Sequence, residues 1–243
     1  MYLERKFTIA LSDLTSFDEL SNQSLLSVLE NMGGFHSDIA KYGLREIPEN
    51  NLSWVLLNWK VEIKRRPKYG EELLVKTWVR GFNKFFSYRD FKVYDENNNI
   101  VILASSKWSL IDIKAKKMVH LTDEISDAYK PETSESAFGD IDLPRLKEDK
   151  DAQAIKGTHE IYKSMIDFNK HVHNVHYIEI ANDAIPDDIY FDMNKDNFEV
   201  ECKKEIKYGT KVVTCFYETD SYYTIAIKSE DETIVHAIIK YYK

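Results

Sequence analysis

A ten-residue window that occurs twice constrains the fold of this chain more than any other feature. Residues 61–70 read Val-Glu-Ile-Lys-Arg-Arg-Pro-Lys-Tyr-Gly, and residues 200–209 read Val-Glu-Cys-Lys-Lys-Glu-Ile-Lys-Tyr-Gly. At equivalent positions the windows share a valine, a glutamate, two lysines, a tyrosine and a glycine. The same order of predicted elements surrounds both windows, so we interpret the chain as an internal duplication.

Each copy is predicted to contain a helix followed by strands. In the first copy Ser16 and Glu19 have the spacing of a capping box, and Gly43 is a suitable stop. Apolar residues recur at helical spacing between them, and these are Leu25, Leu29, Met32, Phe35, Ile39 and Tyr42. Gly33 and Gly34 predict either a break in this helix or a backbone lying close to a sheet.

Alternating apolar patterns predict long strands after each helix. They cover residues 54–63, 72–79, 88–94 and 100–113 in the first copy, and 198–206, 212–218, 222–228 and 233–242 in the second. Weaker strands are predicted at 5–11 and 162–166. Turn-rich breaks suggest antiparallel neighbours joined in order. A helix wrapped by such a sheet is an α+β unit.

The sequence therefore predicts two domains and a linker. The N-terminal domain covers residues 1–129, a polar linker with two prolines covers 130–156, and the C-terminal domain covers 157–243.

Composition limits the class of partner and compartment. The chain has 243 residues, of which 43% are hydrophobic, and a formal net charge of −8, which disfavours nonspecific nucleic-acid binding. With two cysteines, no signal-peptide pattern and no membrane-length apolar run, we expect a cytoplasmic protein without a membrane span.

Residues 167–177 are the densest group of reactive side chains. They read Asp-Phe-Asn-Lys-His-Val-His-Asn-Val-His-Tyr, with Asn174 as a helix N-cap and a helix running toward Pro186. If the loop is extended, Asp167, Asn169 and His171 share one face. The free N–H groups at the helix start would then suit a carbonyl oxygen that gains negative charge. The alternative is a polar turn whose Asp and Asn bond their own backbone.

On these residues the chain resembles the acyl-acyl carrier protein thioesterases of plants and bacteria, which are built as two tandem hotdog domains. Its motif Asp-x-Asn-x-His-Val-Asn-Asn-x-x-Tyr matches residues 167–177, and its later Glu-Cys pair matches Glu201 and Cys202. First-half segments that also resemble the family include Trp54-Val55, Arg66-Pro67, Thr77-Trp78-Val79, Arg89-Asp90 and residues 104–108. The sequence departs from the family at three positions. His173 stands where the family usually has asparagine, Lys170 where glutamine is common, and Ile180 where tryptophan is frequent.

The resemblance implies a thioesterase that releases fatty acid from acyl carrier protein and terminates fatty acid biosynthesis, with no cofactor and no metal. His171 is the candidate base or donor, with its tautomer set by Asp167, and Asn169 can position water or the carbonyl. From the resemblance, Glu201 is the further candidate for holding or deprotonating the water. Cys202 invites instead a covalent acyl-cysteine. On the apolar pattern Cys202 points inward and Glu201 is solvated, and we expect Glu201 rather than Cys202 to be essential.

The first copy lacks this loop, since residues 15–19 contain no Asn-x-His, and it is expected to supply the acyl cavity. An acidic carrier protein requires a local basic surface on this acidic chain. Three clusters could provide that surface, and they are Lys114/Lys116/Lys117, Lys203/Lys204 and Lys64/Arg65/Arg66.

Other functions stay open. His171, His173 and His176 have a spacing compatible with a zinc hydrolase. An acyl-CoA thioesterase and a non-catalytic acyl-binding module are further alternatives. The sequence also leaves the oligomeric state open, with a homodimer as one option.

Overall fold

The computed structural model describes residues 1–139, 142–149 and 152–243, and it divides into two compact units. Unit 1 is Met1–Leu143 and unit 2 is Pro144–Lys243. The predicted linker contains residues 140–141 and 150–151, which lie outside the described residues. Within the described part of the chain, no helix combines the length and the apolar character that crossing a membrane requires.

The described residues of unit 1 form six strands and three α-helices. The strands are β1 (Tyr2–Thr8), β2 (Leu52–Ile63), β3 (Glu72–Phe82), β4 (Phe86–Tyr94), β5 (Ile100–Asp112) and β6 (Lys117–Met118). The helices are α1 (Asn22–Ile39), α2 (Ile47–Asn50) and α3 (Asp123–Tyr129).

The sheet of unit 1 is antiparallel, but its order differs from a simple meander. Its strands are arranged β1-β3-β4-β5-β2, and β6 pairs with the far end of β5. The prediction that neighbours follow in chain order is correct for β3, β4 and β5 and wrong for β2, which pairs with β5. Pairing between strands distant in sequence is set by packing, which local turn signals do not encode.

Helix α1 is the long helix that the apolar spacing predicts. Leu25, Leu29 and Met32 are all buried. The helix begins later than the predicted capping box at Ser16, because residues 15–20 form a tight turn between bridged Leu14 and Leu20. Ser21 is the N-cap, and its hydroxyl accepts the Ser24 N–H at 3.1 Å.

The two glycines do not break α1, which runs continuously through them. Gly34 is exposed, and a methyl group added there would meet nothing within 4 Å. At Gly33 the same methyl would lie 3.6 Å from the Arg89 side chain on β4. The helix therefore approaches the sheet at Gly33, as the second of the two sequence interpretations expects.

The part of unit 2 that the structure describes forms five strands and two short α-helices. They are β7 (Ile155–Glu160), α4 (His176–Asn182), α5 (Asp187–Tyr190), β8 (Asn197–Cys202), β9 (Lys211–Glu218), β10 (Tyr222–Ser229) and β11 (Val235–Tyr242). The strands form an antiparallel sheet in the order β8-β11-β10-β9-β7. Helix α4 has seven residues against the 18 of α1, so among residues 1–139, 142–149 and 152–243 a long helix occurs in unit 1 only.

The start of unit 2 differs from the sequence prediction. Residues 162–166 were expected to form a strand, but Lys163–Met165 is a turn of 3₁₀ helix. The strand is β7, which lies partly within the predicted linker. Nearly all of β7 is exposed and it pairs only with β9, so it lacks the apolar alternation of a half-buried strand.

Candidate active site

The loop that precedes α4 is a closed turn rather than an extended segment. Ile166 and Val172 form a β-bridge, and the Asp167 N–H donates to the His171 carbonyl at 2.8 Å. Lys170 has a φ of 64°, in the left-handed region. The assumption that Asp167, Asn169 and His171 share one face by strand alternation is therefore wrong, since the chain reverses between them.

Asp167 organises this turn through its own backbone neighbours. One carboxylate oxygen accepts the N–H groups of Asn169 (2.8 Å) and His171 (3.2 Å), and the other lies 3.5 Å from the Asn169 side-chain amide. These are the contacts of an aspartate-capped turn, the alternative that the sequence left open. Asp167 contacts the backbone of His171 and not its ring, so the expected control of the His171 tautomer by Asp167 is not observed.

The turn docks on the segment that follows β8. The Val172 N–H donates to the Ile206 carbonyl at 2.8 Å, and His171 forms a β-bridge with Lys207. The His173 N–H donates back to Met165 at 2.9 Å. These backbone bonds fix the position of His171 relative to residues 204–207.

Unit 1 builds the same scaffold without the reactive side chains. Leu20 donates to the Pro67 carbonyl at 2.9 Å, and Glu19 forms a bridge with Lys68, in register with the contacts of unit 2. Asp18 has a φ of 60°, like Lys170. In this turn Thr15, Phe17 and Glu19 replace Asp167, Asn169 and His171. Both units therefore build this turn, but only the turn of unit 2 has the candidate catalytic side chains.

The imidazole of His171 has a carboxylate beside it that the sequence analysis missed. Its Nε2 atom lies 3.6 Å from Oε1 of Glu205, and the two side chains are 30% and 54% exposed. Glu205 stands in a lysine-rich run that resembles an ordinary solvated surface. The available signal was the repeat, which aligns Glu205 with Arg66, a residue of opposite charge.

The helix start is later than expected and its first N–H groups have partners. Helix α4 begins at His176 with Val175 as N-cap, whereas the sequence predicted Asn174. The N–H groups of His176 and Tyr177 donate to the carbonyls of His173 (3.0 Å) and Asn174 (3.1 Å). These two N–H groups thus bond to the last residues of the loop itself in a tight first turn, and they do not point at a bound carbonyl oxygen.

Tyr177 anchors the first turn of α4 inside unit 2. It is almost fully buried, and its hydroxyl donates to the Lys204 carbonyl at 3.5 Å. Burial, followed by the nearby Cys202 thiol, raises the pKa of Tyr177 far above its ordinary value. The phenol therefore stays neutral, and it places the helix start close to Cys202.

Strand β8 places Glu201 and Cys202 on opposite faces of the sheet. Phe198 shares the face of Cys202, and its ring lies 5.9 Å from that of Tyr241. The Tyr241 hydroxyl donates to Asn182 of α4 at 2.8 Å, so this is the helix-facing side. Cys202, which is half-buried, therefore points toward the helix, and Glu201 points away from it.

Glu201 is nevertheless buried, and the prediction that it is solvated is wrong. Its Oε2 atom accepts the Leu146 N–H at 2.6 Å and contacts Lys203 Nζ at 2.6 Å. The reason is that Leu146, from the predicted linker, covers this face of the sheet by packing against Tyr217 of β9 and Ile238 of β11. The carboxylate of Glu201 holds this covering segment in place.

The three imidazoles do not form a metal site. The rings of His173 and His176 are 6.3 Å apart, and His176 Nδ1 lies 2.7 Å from Glu179. In the ranges 1–139, 142–149 and 152–243, no three His, Cys, Asp or Glu side chains are arranged to hold a metal ion. The spacing that suggested zinc is thus not matched by convergent ligands.

Unit 1 buries a positive charge between α1 and its sheet. Arg89 Nη1 lies 2.8 Å from His36 Nδ1 and 3.2 Å from Thr77 Oγ1. Burial lowers the pKa of Arg89 to about 10, so it stays charged at neutral pH. Burial and the charge of Arg89 lower the pKa of His36 to about 3, so this imidazole is neutral and accepts the arginine N–H.

The three basic clusters differ in how fully they are occupied. Lys203 contacts Glu201, and Arg65 forms a bidentate pair with Glu71. Lys114, Lys116 and Lys117 lie in and beside the turn between β5 and β6 and are all exposed. The last cluster has its charges most available to a partner.

A surface cleft of about 600 Å³ lies beside the turn in unit 2. Lys163 and Ser164 line it on one side, and Tyr208 and Thr210 line it on the other. None of the predicted catalytic residues lines this cleft. One wall is residues 160–164, which precede the turn in the chain. The other is residues 208–211, which follow the segment on which the turn docks.

Comparison with protein families matches nearly the whole chain. A model described as the acyl-ACP thioesterase N-terminal domain covers residues 2–129, and one described as the acyl-ACP thioesterase C-terminal domain covers residues 148–243. An acyl-[acyl-carrier-protein] hydrolase of Cuphea viscosissima is 28% identical over 165 residues, which is 66% of this chain and 40% of that protein. An oleoyl-acyl carrier protein thioesterase of Coriandrum sativum is 21% identical over 223 residues, or 86% and 60% of the two chains. The chain thus spans roughly half the length of these curated relatives.

Solved structures show the same fold. An acyl-ACP thioesterase from Bacteroides thetaiotaomicron has a TM-score of 0.88 at 24% identity and covers 100% of this chain and 98% of its own. A 12:0-ACP thioesterase from Umbellularia californica has a TM-score of 0.83 at 17% identity, with coverage of 100% and 97%. The predicted hotdog fold is confirmed.

Proposed function

Because the chain belongs to the acyl-acyl carrier protein thioesterase family, we propose that it hydrolyses fatty acyl thioesters carried on acyl carrier protein. The products are a free fatty acid and the carrier thiol, and the release terminates fatty acid synthesis. The observation that carries the proposal is the Asp167 turn. The Asp167 carboxylate accepts the backbone N–H groups of both Asn169 and His171, whereas the equivalent turn of unit 1 has none of these three residues.

The proposed reaction requires one base and one group that orients water. His171 takes a proton from water as the water oxygen attacks the thioester carbonyl carbon. The carbon–sulfur bond then breaks, its electron pair leaves on sulfur, and the imidazolium returns the proton to the thiolate. Asn169 can donate to the carbonyl oxygen or hold the water, because its amide presents both donors and acceptors.

Asp167 acts here as a positioning residue. Its carboxylate is used by the backbone N–H groups of Asn169 and His171, so it sets where those two side chains emerge. Glu201 as the further water-holding group and Cys202 as a nucleophile stay predictions of the sequence. The acyl cavity of unit 1 is likewise a prediction.

The carrier protein is the proposed partner, and Lys114, Lys116 and Lys117 are its proposed docking surface. A cluster of exposed positive charges attracts an acidic partner and increases the rate at which the two proteins meet. Raising the ionic strength should then slow turnover of a carrier-linked substrate more than turnover of a small thioester. An equal response of both substrates would contradict electrostatic docking. A cytoplasmic location and a homodimer also stay predictions.

The test is hydrolysis by the purified protein of acyl thioesters of graded chain length, each presented on acyl carrier protein and on coenzyme A. We expect a higher kcat/KM with the carrier-linked series. A preference for coenzyme A would replace the proposal by acyl-CoA hydrolysis, and binding without turnover would support an acyl-binding module.

A further inference from the structure

A glutamate outside the predicted site lies beside the candidate base. Oε1 of Glu205 is 3.6 Å from Nε2 of His171. Within the described residues, no other side-chain carboxylate is at ion-pair distance from this ring. Asp167, the acid expected to hold the imidazole, has its carboxylate engaged by backbone N–H groups instead.

The internal duplication separates what the fold requires at this position from what unit 2 has added. The equivalent of Glu205 in unit 1 is Arg66. Arg66 Nη1 donates to the Leu20 carbonyl at 2.7 Å and to Asn22 Oδ1 at 3.0 Å, and so anchors the start of α1. Unit 2 has an acid, Glu205, at this position in place of the arginine.

The exchange occurs where the chemistry of the two units also diverges. The turn residue equivalent to His171 is Glu19. Unit 1 therefore has an acid in the turn (Glu19) and a basic residue in the segment that it docks on (Arg66). Unit 2 has the reverse, with a basic residue in the turn and an acid in that segment. The backbone around them is unchanged, since Val172 donates to Ile206 as Leu20 donates to Pro67. The two units therefore differ in the side chains at these positions and not in the backbone bonds that hold the turn.

We propose that Glu205 is a positioning residue for His171, holding the proton on Nε2 so that Nδ1 is the basic nitrogen. When His171 accepts a proton from water, the carboxylate stabilises the imidazolium that forms. This inference rests on the proposed hydrolysis for its catalytic part, whereas the contact itself is independent of it.

The charged groups around the ring come from two segments. The turn contributes Asp167, through the backbone of His171, and Lys170, which precedes it in the chain. The segment after β8 contributes Glu205 and Lys207, which lies opposite His171 in the β-bridge. Glu205 is the only one of the four with a contact to the imidazole in the described residues.

The contact is tested by NMR of the imidazole nitrogens in ¹⁵N-histidine-labelled protein, with the His171 signals assigned from a His171→Gln variant. Glu205→Gln should lower the population of the tautomer that carries its proton on Nε2 at least about twofold, because the carboxylate that attracts this proton is removed. Glu179→Gln is the matched control, because Glu179 lies 2.7 Å from His176. It should change the tautomer populations of His176 and leave those of His171 unchanged.

The catalytic part is tested by kinetics on an acyl carrier protein thioester. Glu205→Gln should lower kcat about fivefold with KM unchanged, and Glu205→Asp should recover part of the loss. Unchanged tautomer populations of His171 in Glu205→Gln would overturn the contact, and changed populations with an unchanged kcat would overturn the positioning role. If the wild-type protein hydrolyses no thioester, the proposed function and this role fail together, and the NMR result still decides the contact.

Discussion

Glu135 links the segment after α3 to the sheet of unit 1 by neutralising two lysines. Its carboxylate lies 2.7 Å from Lys92 Nζ and 3.3 Å from Lys76 Nζ, and it accepts the Tyr2 hydroxyl at 2.9 Å. Lys76 and Lys92 are directly opposite each other on β3 and β4. Like charges at such positions repel, so removing the carboxylate leaves an unfavourable pair.

The size of the effect follows from the pKa of Glu135. Burial alone would raise this pKa, but the bonds from Lys92, Tyr2 and Lys76 outweigh burial and lower it from 4.5 to about 2. This lowering of the Glu135 pKa corresponds to about 3 kcal/mol at most. Because 25% of the side chain is exposed, we discount this to about 1–2 kcal/mol. Glu135→Gln should therefore lower Tm by about 2–8 °C at pH 7.

The assay is unfolding followed by tryptophan fluorescence, which reports on unit 1 because all four tryptophans belong to it. A depressed carboxyl pKa stabilises the folded state above the unfolded pKa, and the contribution is lost as pH falls through the folded pKa. The stability difference between wild type and Glu135→Gln should thus be constant above about pH 5 and shrink toward pH 2. Glu96→Gln, at an exposed acid of the same unit, is the control. A normal Tm for Glu135→Gln, or a difference that does not shrink in acid, would refute the reasoning.

Two further changes are predicted from the structure. Gly34→Ala should raise Tm by about 2–4 °C, since alanine is favoured in a helix by about 1 kcal/mol and the added methyl group meets no atom. Gly33→Ala, whose methyl group would make an ordinary van der Waals contact with Arg89 at 3.6 Å, should raise Tm by a similar amount. A lower Tm for Gly34→Ala would contradict this. Cys202→Ala should keep turnover and Glu201→Ala should lose it. Because Glu201 also binds Leu146 and Lys203, Tm is measured as well, and lost turnover accompanied by unfolding would assign Glu201 to the structure instead.

The sequence predicted elements well where periodicity is strong. The apolar spacing of Leu25, Leu29 and Met32 identified α1, and the strand predictions agree with β5 and β9 within one residue at each end. It failed where the pattern is weak or the determinant is distant. Strand β7 is mostly exposed and has little alternation, and the pairing of β2 with β5 depends on packing across the unit.

The candidate site was found from the density of reactive groups, but its geometry was not. From the sequence, Asp167 could equally cap a turn or face a pocket. The left-handed backbone at Lys170 allows the chain to reverse, and Asp167 caps the resulting turn. The burial of Glu201 depends on Leu146, a contact across 55 positions that strand alternation cannot indicate. Glu205 was missed because an acid among lysines resembles a solvated surface, although its alignment with Arg66 carried a signal.

The central claim is that the imidazole of His171 supplies the base for thioester hydrolysis. The most direct measurement is single-turnover release of labelled fatty acid from acyl carrier protein by wild type, His171→Ala and His173→Asn, with Tm recorded for each. His171→Ala should release acid at least about 100-fold more slowly with an unchanged Tm, and His173→Asn, which alters the neighbouring imidazole, should resemble wild type. Release by a folded His171→Ala protein at the wild-type rate would contradict the account.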